Sequence, residues 1–401
     1  MIKNDITTIN FGHKFFDLFA GIGGFHIALA RNGCECVFAS EIDKSCVKVY
    51  ENNYGIKPVG DITKVDETKI PDFDILCGGF PCQSFSHSGK QNGFNDKTKG
   101  TLFFDICRIL KHKKPKYFIL ENVKNLYGHN KGKTWEIIYN SLTELGYKTY
   151  KKPIMLSPLH LGIPQNRDRV FIIGIRNDLN EELPEYPIYK KKNTSIEDIL
   201  ENNEGLSNEL WEKVKINDDN LSVLNLWEKF IQYFKDKKVK LPTFPIWTEE
   251  WGEDYNTEHL PEWKKKFVLN NRDFYNTYKS YLNKWLKDSR KNSSFYGAKA
   301  KLEWQSGEFR SNDSLWTLLF QFRPSGIRVS RNNYSPALVA MSQIVYVGCR
   351  KRKLTPREVA RLQSFPEEFK LDPSVNASYK QFGNAVNVRV VEEILYRLLS
   401  V

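Results

Sequence analysis

The stretch Phe73-Asp74-Ile75-Leu76-Cys77-Gly78-Gly79-Phe80-Pro81-Cys82-Gln83-Ser84-Phe85-Ser86 decides how this chain is read. It opens as an apolar run of strand length, stopped by two glycines. Cys82 then stands at the carboxyl end of that strand, in a loop rich in glycine and serine. Ligands of open α/β sheets gather at this edge, and a thiol displayed there is placed as a nucleophile. Most single cysteines are small buried hydrophobes, so the assignment depends on what surrounds Cys82.

Working outward, strand-like runs at 14–19, 35–40, 73–78, 116–121 and 169–175 alternate with helix-like segments near 24–32, 43–53, 101–112 and 133–145. That alternation predicts βαβ units and a parallel sheet. The first run leads into Phe19-Ala20-Gly21-Ile22-Gly23-Gly24, and glycines before a helix let a ligand approach the backbone. The spacing is not Gly-x-Gly-x-x-Gly, so a pyrophosphate fingerprint is incomplete. Glu41 ends the second run, about 20 residues on, where an acid holds ribose hydroxyls. Asp61 ends the third segment and suits an adenine amino group. An adenosine ligand without pyrophosphate fits, and S-adenosylmethionine is the commonest of these; a tight turn with two surface acids is the plainer alternative.

Two further strand ends supply chemistry. Glu121-Asn122-Val123 closes the run Tyr117–Leu120, and Gln165-Asn166-Arg167-Asp168-Arg169 precedes Val170–Gly174. Strict alternation puts Gln165, Arg167 and Arg169 on one side of an extended segment. A thiol, a carboxyl group and arginines at one rim, beside a methyl donor, fit methylation at C5 of a pyrimidine. That carbon is a poor nucleophile until a thiolate adds to C6, an acid drains charge through N3 and an arginine holds O2.

Composition narrows the alternatives. The formal charge is +12, which suits a polyanion partner. Seven cysteines with no paired Cys-x-x-Cys spacing predict neither a disulfide framework nor a structural metal. No run of about 18 apolar residues predicts a membrane span, and the first residues lack a signal-peptide pattern. Cytoplasmic residence, with nucleoid association through DNA, is the expectation.

With these motifs in order, the chain resembles the DNA (cytosine-5) methyltransferases of prokaryotic restriction–modification systems. The resemblance covers 14–178 and roughly 328–400, where Arg352-Lys353-Leu354-Thr355-Pro356-Arg357-Glu358 and Gln381-Phe382-Gly383-Asn384-Ala385-Val386 complete the series. It implies a Rossmann-like, S-adenosylmethionine-dependent α/β domain with a mixed, mostly parallel sheet. A smaller target-recognition domain is inserted before the C-terminal helix. The expected bounds are 1–185 with 380–401 for the catalytic domain and 186–379 for recognition.

The resemblance further implies Cys82 as nucleophile, Glu121 at N3 and the exocyclic amine, Arg167 at O2, and Arg169 bracing the pocket. Phe19, Ala20, Gly21, Gly23, Gly24, Glu41, Ile42, Asp61, Ile62, Pro81, Leu102, Asn384 and Val386 are expected at the donor site, with S-adenosylhomocysteine as product and no metal. Ser86, Ser88, Gln165, Arg167, Arg328 and Arg331 are expected to contact DNA. The partners implied are duplex DNA and a separate cognate endonuclease; a monomer is expected. A silent DNA-binding scaffold need not retain Cys82, Glu121 and Arg167 together. Cytosine methylation of tRNA would use the same nucleophile, and a large Trp-rich insert favours duplex DNA. An NAD oxidoreductase lacks its glycine pattern here.

Eight of nine tryptophans fall between 211 and 316. Stripes at 223–234 and 263–286 have helical spacing and read as the core of a partly helical insert at about 205–300 rather than as base-stacking platforms. Base-reading side chains are expected within 295–345, because arginine and asparagine match guanine and adenine edges. Here Ser335-Pro336-Ala337-Leu338-Val339 departs from the family's frequent Thr-Leu, so one backbone-contacting hydroxyl is missing. A final helix is expected over about 385–399.

Overall fold

Phe15, Phe16, Asp17 and Leu18 are fully buried in β1 (Lys14–Leu18), and that strand is the centre from which the first sheet grows. The structure, a computed structural model, describes residues 10–81, 102–338 and 343–400. After α1 (Gly24–Arg31) come β2 (Glu35–Ser40), α2 (Lys44–Tyr54), β3 (Ile75–Gly79), α3 (Leu102–Lys113) and β4 (Tyr117–Val123). Asp43 caps α2 by accepting the Ser45 N–H at 2.9 Å, and Gly55 ends it in the left-handed region at φ 69°. The strands β2, β1, β3 and β4 lie side by side in that order, all parallel. Their apolar side chains and those of α3 form one core, which includes Phe16, Leu76, Phe103, Ile106, Phe118 and Leu120.

Beyond β4 the direction changes. The chain runs through α4 (Lys133–Glu144), β5 (Tyr147–Thr149), β6 (Ile154–Leu156) and the two-residue β7 (Gln165–Asn166) into β8 (Arg169–Arg176). β8 pairs antiparallel with β4, and both β5 and β6 pair antiparallel with β8. The expected parallel run therefore extends over four strands and stops at β4. The strands β5 and β6 precede β8 closely in sequence, with β7 the one strand between, and antiparallel partners need only such short connections.

The chain divides into two compact units: Met1–Thr194, Pro336–Met341 and Pro356–Val401 in the first, Ser195–Ser335 and Ser342–Thr355 in the second. The second holds α5 (Asn208–Val214), α6 (Asp218–Asp236), β9 (Ile246–Trp247), α7 (Glu262–Thr277) and α8 (Lys279–Ser289). β10 (Lys301–Trp304), β11 (Leu319–Arg323), β12 (Gly326–Ser330), β13 (Ser335–Pro336), β14 (Tyr346–Val347) and β15 (Arg352–Lys353) follow. A six-stranded sheet runs β15-β14-β11-β12-β10-β9, with only β10 and β12 parallel. Its core takes in Val223, Leu224, Trp227, Phe230, Ile231 and Phe234 of α6 and Trp285 of α8. The aromatic stripes are thus packing surfaces. The stripe at 263–286 is shared by two helices that meet at Tyr278, and Trp263 at its start is 62 % exposed.

The chain returns through α9 (Pro356–Leu362), α10 (Val375–Asn384) and α11 (Val388–Leu399). The compact first unit resumes at Pro356, earlier than the expected 380. The reason is a set of local ties: the Gln363 amide donates to the Phe382 carbonyl at 2.8 Å, and Lys370 N–H to Asn53 of α2 at 2.8 Å. The last helix begins at Val388 rather than 385, because Asn387 caps it through the Val390 N–H at 3.1 Å. α11 packs on α1 and buries Val390, Val391, Ile394, Leu395 and Leu398. No helix among the described residues is long and apolar enough to cross a membrane.

Candidate active site

Three parallel strands deliver the carboxyl-end loops that matter. Leu18 ends β1, and Phe19 turns the chain with a left-handed φ of 58°, a conformation a bulky residue rarely adopts without surrounding constraint. Ala20 N–H donates to Ser40 at the end of β2 at 2.9 Å, which couples the two loops. Glu41 completes the coupling. Its Oε2 accepts the Gly21 N–H at 2.8 Å and its Oε1 the Asp43 N–H at 2.7 Å. Ile42, beside it, is 71 % exposed, and Phe19 is half-buried.

Asp61 caps the short turn Ile62–Lys64, accepting the Thr63 N–H at 3.1 Å and the Thr63 hydroxyl at 2.7 Å through Oδ1. Those bonds hold its carboxyl below the usual aspartate range, so it is ionised at neutral pH. Ile62 is buried. The C-terminal segment also reaches this loop: a Cβ on Gly24 would lie 2.7 Å from the Val386 carbonyl oxygen. Asn384 ends α10 exposed, two residues earlier. Pro81 is exposed and Leu102 half-buried, at the two ends of a segment outside the described residues. Cys82, Ser86 and Ser88 fall in that segment and so lie outside the described residues.

On β4, Glu121 is paired in register with Gly79 of β3, and its Oε2 lies 3.1 Å from where a Gly79 Cβ would stand. The carboxylate therefore rests against the strand that leads, three residues later, to Cys82. Its partner is Arg169 at the start of β8, whose Nε lies 2.9 Å from Glu121 Oε1. Burial pushes the Glu121 carboxyl up, and the charges of Arg169 and then Arg167 offset that only in part. Asn122 is buried, and its amide donates to the Phe80 carbonyl at 2.8 Å. Asn122 lies within the Glu121-Asn122-Val123 motif, where no task is expected of it. An amide directly after a strand-end acid, with a neighbouring strand end to reach, was the available signal.

Arg167 and Arg169 border one small cavity together with Leu156, Phe171 and Val386, but their partners differ. Arg167 is buried. Its Nη1 donates to the Leu338 carbonyl at 2.9 Å, its Nη2 to Gly383 and Ala385 at 2.9 and 3.1 Å. β7 ends at Asn166 and β8 starts at Arg169, so Arg167 lies in the break between two strands. Desolvation lowers the Arg167 guanidinium to about 9, and among the described residues no carboxylate forms an ion pair with it. Gln165 is fully buried, and neither polar atom of its amide has a hydrogen-bond partner among the described residues.

In the second unit, Arg331 is held by the Asp313 carboxylate and by the Glu308 carbonyl at 2.6 Å, so its guanidinium is already engaged. Arg328 is half-buried on β12, opposite Gln321 of β11 and Glu303 of β10.

Residues 13–400 match the family model of the C-5 cytosine-specific DNA methylases. The chain is 36 % identical over 389 residues to the Type II methyltransferase M.HhaI of Haemophilus parahaemolyticus, covering 97 % of this chain and 95 % of that one. It is 35 % identical over 395 residues to the Type II methyltransferase M.SsoII of Shigella sonnei, covering 97 % and 80 %. Among solved structures, the fold is similar to that of a DNMT2 from Spodoptera frugiperda, with a TM-score of 0.55 at 18 % identity over 96 % and 99 % of the two chains. It is also similar to a prophage-encoded putative DNA modification methyltransferase from E. coli, with a TM-score of 0.54 at 20 % identity over 97 % and 99 %.

Proposed function

The chain belongs to the C-5 cytosine-specific DNA methylases, and from that premise we propose that it methylates C5 of one cytosine in a short duplex sequence through a covalent bond from Cys82 to C6. One observation carries the reading. Glu121, a carboxyl group raised by burial, is fixed by Arg169 against the backbone of β3, just before Pro81-Cys82.

The donor site fits an adenosyl ligand. Each Glu41 oxygen accepts one backbone N–H and keeps a lone pair, which suits the two hydroxyls of a ribose. Exposed Ile42 and half-buried Phe19 offer apolar faces to a planar base, and Asp61 an acceptor for its amine. When bound there, S-adenosylmethionine supplies the electrophilic methyl group that C5 takes up.

The chain's own groups prepare the ring. A cytosine extruded from the duplex presents C6 to the Cys82 thiolate, and the new S–C6 bond pushes electron density onto C5 and N3. Glu121 donates its proton at N3 and limits the charge that builds there. Arg169, rather than Arg167, is the cation available for O2, because it shares the strand-end position with Glu121. After C5 is alkylated, loss of its proton to water, return of the N3 proton to Glu121 and expulsion of Cys82 Sγ restore the ring, the acid and the thiolate. The second unit selects the target, and protection of DNA from a cognate endonuclease is the biological role.

Duplex DNA carrying 5-fluorocytosine at the target tests the covalent route, since fluorine blocks the final proton loss. A denaturation-resistant protein–DNA adduct that requires the donor is expected, and it should vanish in Cys82→Ser. Absence of the adduct with the wild-type chain, at a target located by bisulfite sequencing, would overturn the mechanism.

A further inference from the structure

Beneath the glycine loop lies a buried chain of polar and aromatic groups that the proposed chemistry leaves unused. Asp17 of β1 is fully buried and accepts the Tyr50 hydroxyl at 3.2 Å together with the His26 backbone N–H. Tyr50 also bonds His26 Nδ1 at 2.7 Å. A phenol has one proton, so with Tyr50 donating to Asp17 the imidazole must donate from Nδ1. The His26 ring in turn stacks on Tyr54, with centroids 3.9 Å apart and planes 18° apart. Tyr54 is the last residue of α2, one helical turn beyond Tyr50.

The end of this chain touches the loop itself. The Tyr54 hydroxyl lies 3.0 Å from the Ile22 carbonyl oxygen and 3.2 Å from that of Gly23. The fit is close: a Cβ on Gly23 would stand 2.4 Å from the Tyr54 ring, and Gly23 has a φ of 85°. A side chain at 23 is therefore excluded twice, by backbone conformation and by the ring. Peptide planarity does the rest. With the Gly23 carbonyl turned to Tyr54, the Gly24 N–H must face the opposite way, as the first amide of α1, which has no partner within the helix.

We propose that Tyr54 is a positioning residue for the donor-binding loop, fixing the Ile22 and Gly23 peptide planes through its hydroxyl while His26, Tyr50 and Asp17 hold its ring. The proposal rests on the reading that the loop at Phe19–Gly24 receives the adenosyl donor. The Gly23 carbonyl also accepts the Ile27 N–H at 3.0 Å, so without the hydroxyl it is chiefly the Ile22 peptide that samples other orientations, and donor binding must restore the right one. That cost falls on donor affinity and leaves the chemical step alone.

Tyr54→Phe keeps the ring and its stacking and removes only the hydroxyl. Calorimetry with S-adenosylhomocysteine should give a Kd raised about tenfold, the loss expected for two shared hydrogen bonds. The KM for S-adenosylmethionine should rise in step, with the KM for DNA unchanged and kcat at saturating donor within about twofold. A Tyr54→Phe protein with a lowered Tm but an unchanged Kd would show a structural role only and overturn the proposal. Wild-type protein that binds no S-adenosylhomocysteine would overturn the reading of the loop and this proposal together. If Tyr54→Phe does not fold, hydrogen exchange on the wild type decides. S-adenosylhomocysteine should slow exchange in peptides covering 19–27 and 50–55 alike, and protection confined to 19–27 counts against Tyr54.

Discussion

Arg169 and Glu121 face each other across the antiparallel junction of β8 and β4, Nε to Oε1 at 2.9 Å, both largely shielded from water. The pair sits where the parallel half of the sheet ends, beside the strand that leads to Cys82. In the proposed mechanism this carboxyl group serves as an acid toward the ring, and burial shifts it upward, the direction such a task needs.

Glu121→Gln should lower kcat by about 10²-fold or more while leaving S-adenosylhomocysteine binding intact, because it removes the proton donor and not the donor site. Single-turnover methylation with saturating donor checks this. A variant with wild-type kcat would remove Glu121 from the mechanism.

The same group makes a signed prediction about stability. Its folded-state value lies above the ordinary 4.5, so the folded chain binds the proton more readily than the unfolded one. Stability from this group is therefore fully present below 4.5 and is lost as pH rises through the raised value. Glu121→Gln cannot titrate. Its unfolding free energy relative to wild type should climb with pH over that window, as urea titrations at a series of pH values would show.

Arg167→Lys and Arg169→Lys should fail differently. A lysine at 167 cannot reach three carbonyls at once, and buried acceptors left unpaired cost about 2–4 kcal/mol in all, visible in urea unfolding. A lysine at 169 keeps the charge beside Glu121 and loses the fork, so kcat should fall about 10–100-fold with stability little changed. The reverse pattern would restore the O2 contact to Arg167.

Glu41→Ala releases the Gly21 and Asp43 N–H groups together and removes the acceptor proposed for ribose. The Kd for S-adenosylhomocysteine should rise about tenfold or more, as expected when bonds to a charged acceptor are lost. Affinity for target DNA in a gel-shift assay should stay within about twofold. Equal losses of both would place Glu41 in general loop stability.

Asn122→Ala leaves the Phe80 carbonyl without its donor, two residues before Cys82. Stability should drop by about 1–3 kcal/mol, and the rate of adduct formation with 5-fluorocytosine DNA should drop beyond what the lost folded fraction explains. An unchanged rate per folded molecule would confine Asn122 to packing.

The parallel strands and the strand-end acids were legible early because each depends on local pattern. An apolar run, a glycine stop and an acid announce a strand end wherever they occur, as at Leu18–Gly21, Ser40–Glu41 and Leu120–Glu121. Strand direction was not legible at 169, since a run such as Val170–Gly174 reads alike in both orientations. Nor were the partners of the two arginines legible, since Arg167 meets the carbonyls of Leu338, Gly383 and Ala385 and Arg169 the Glu121 carboxylate. The Tyr54–His26–Tyr50–Asp17 chain spans three elements, and no spacing in the sequence announces it.

The sequence by itself placed the candidate groups at particular strand ends, because short-range periodicity and turn chemistry act over a few residues. Only the tertiary structure decided which partners those groups meet. Arg169 pairs with a carboxylate and Arg167 with carbonyls from residues 338, 383 and 385, because partners so distant in sequence meet only once the strands and the C-terminal segment have packed.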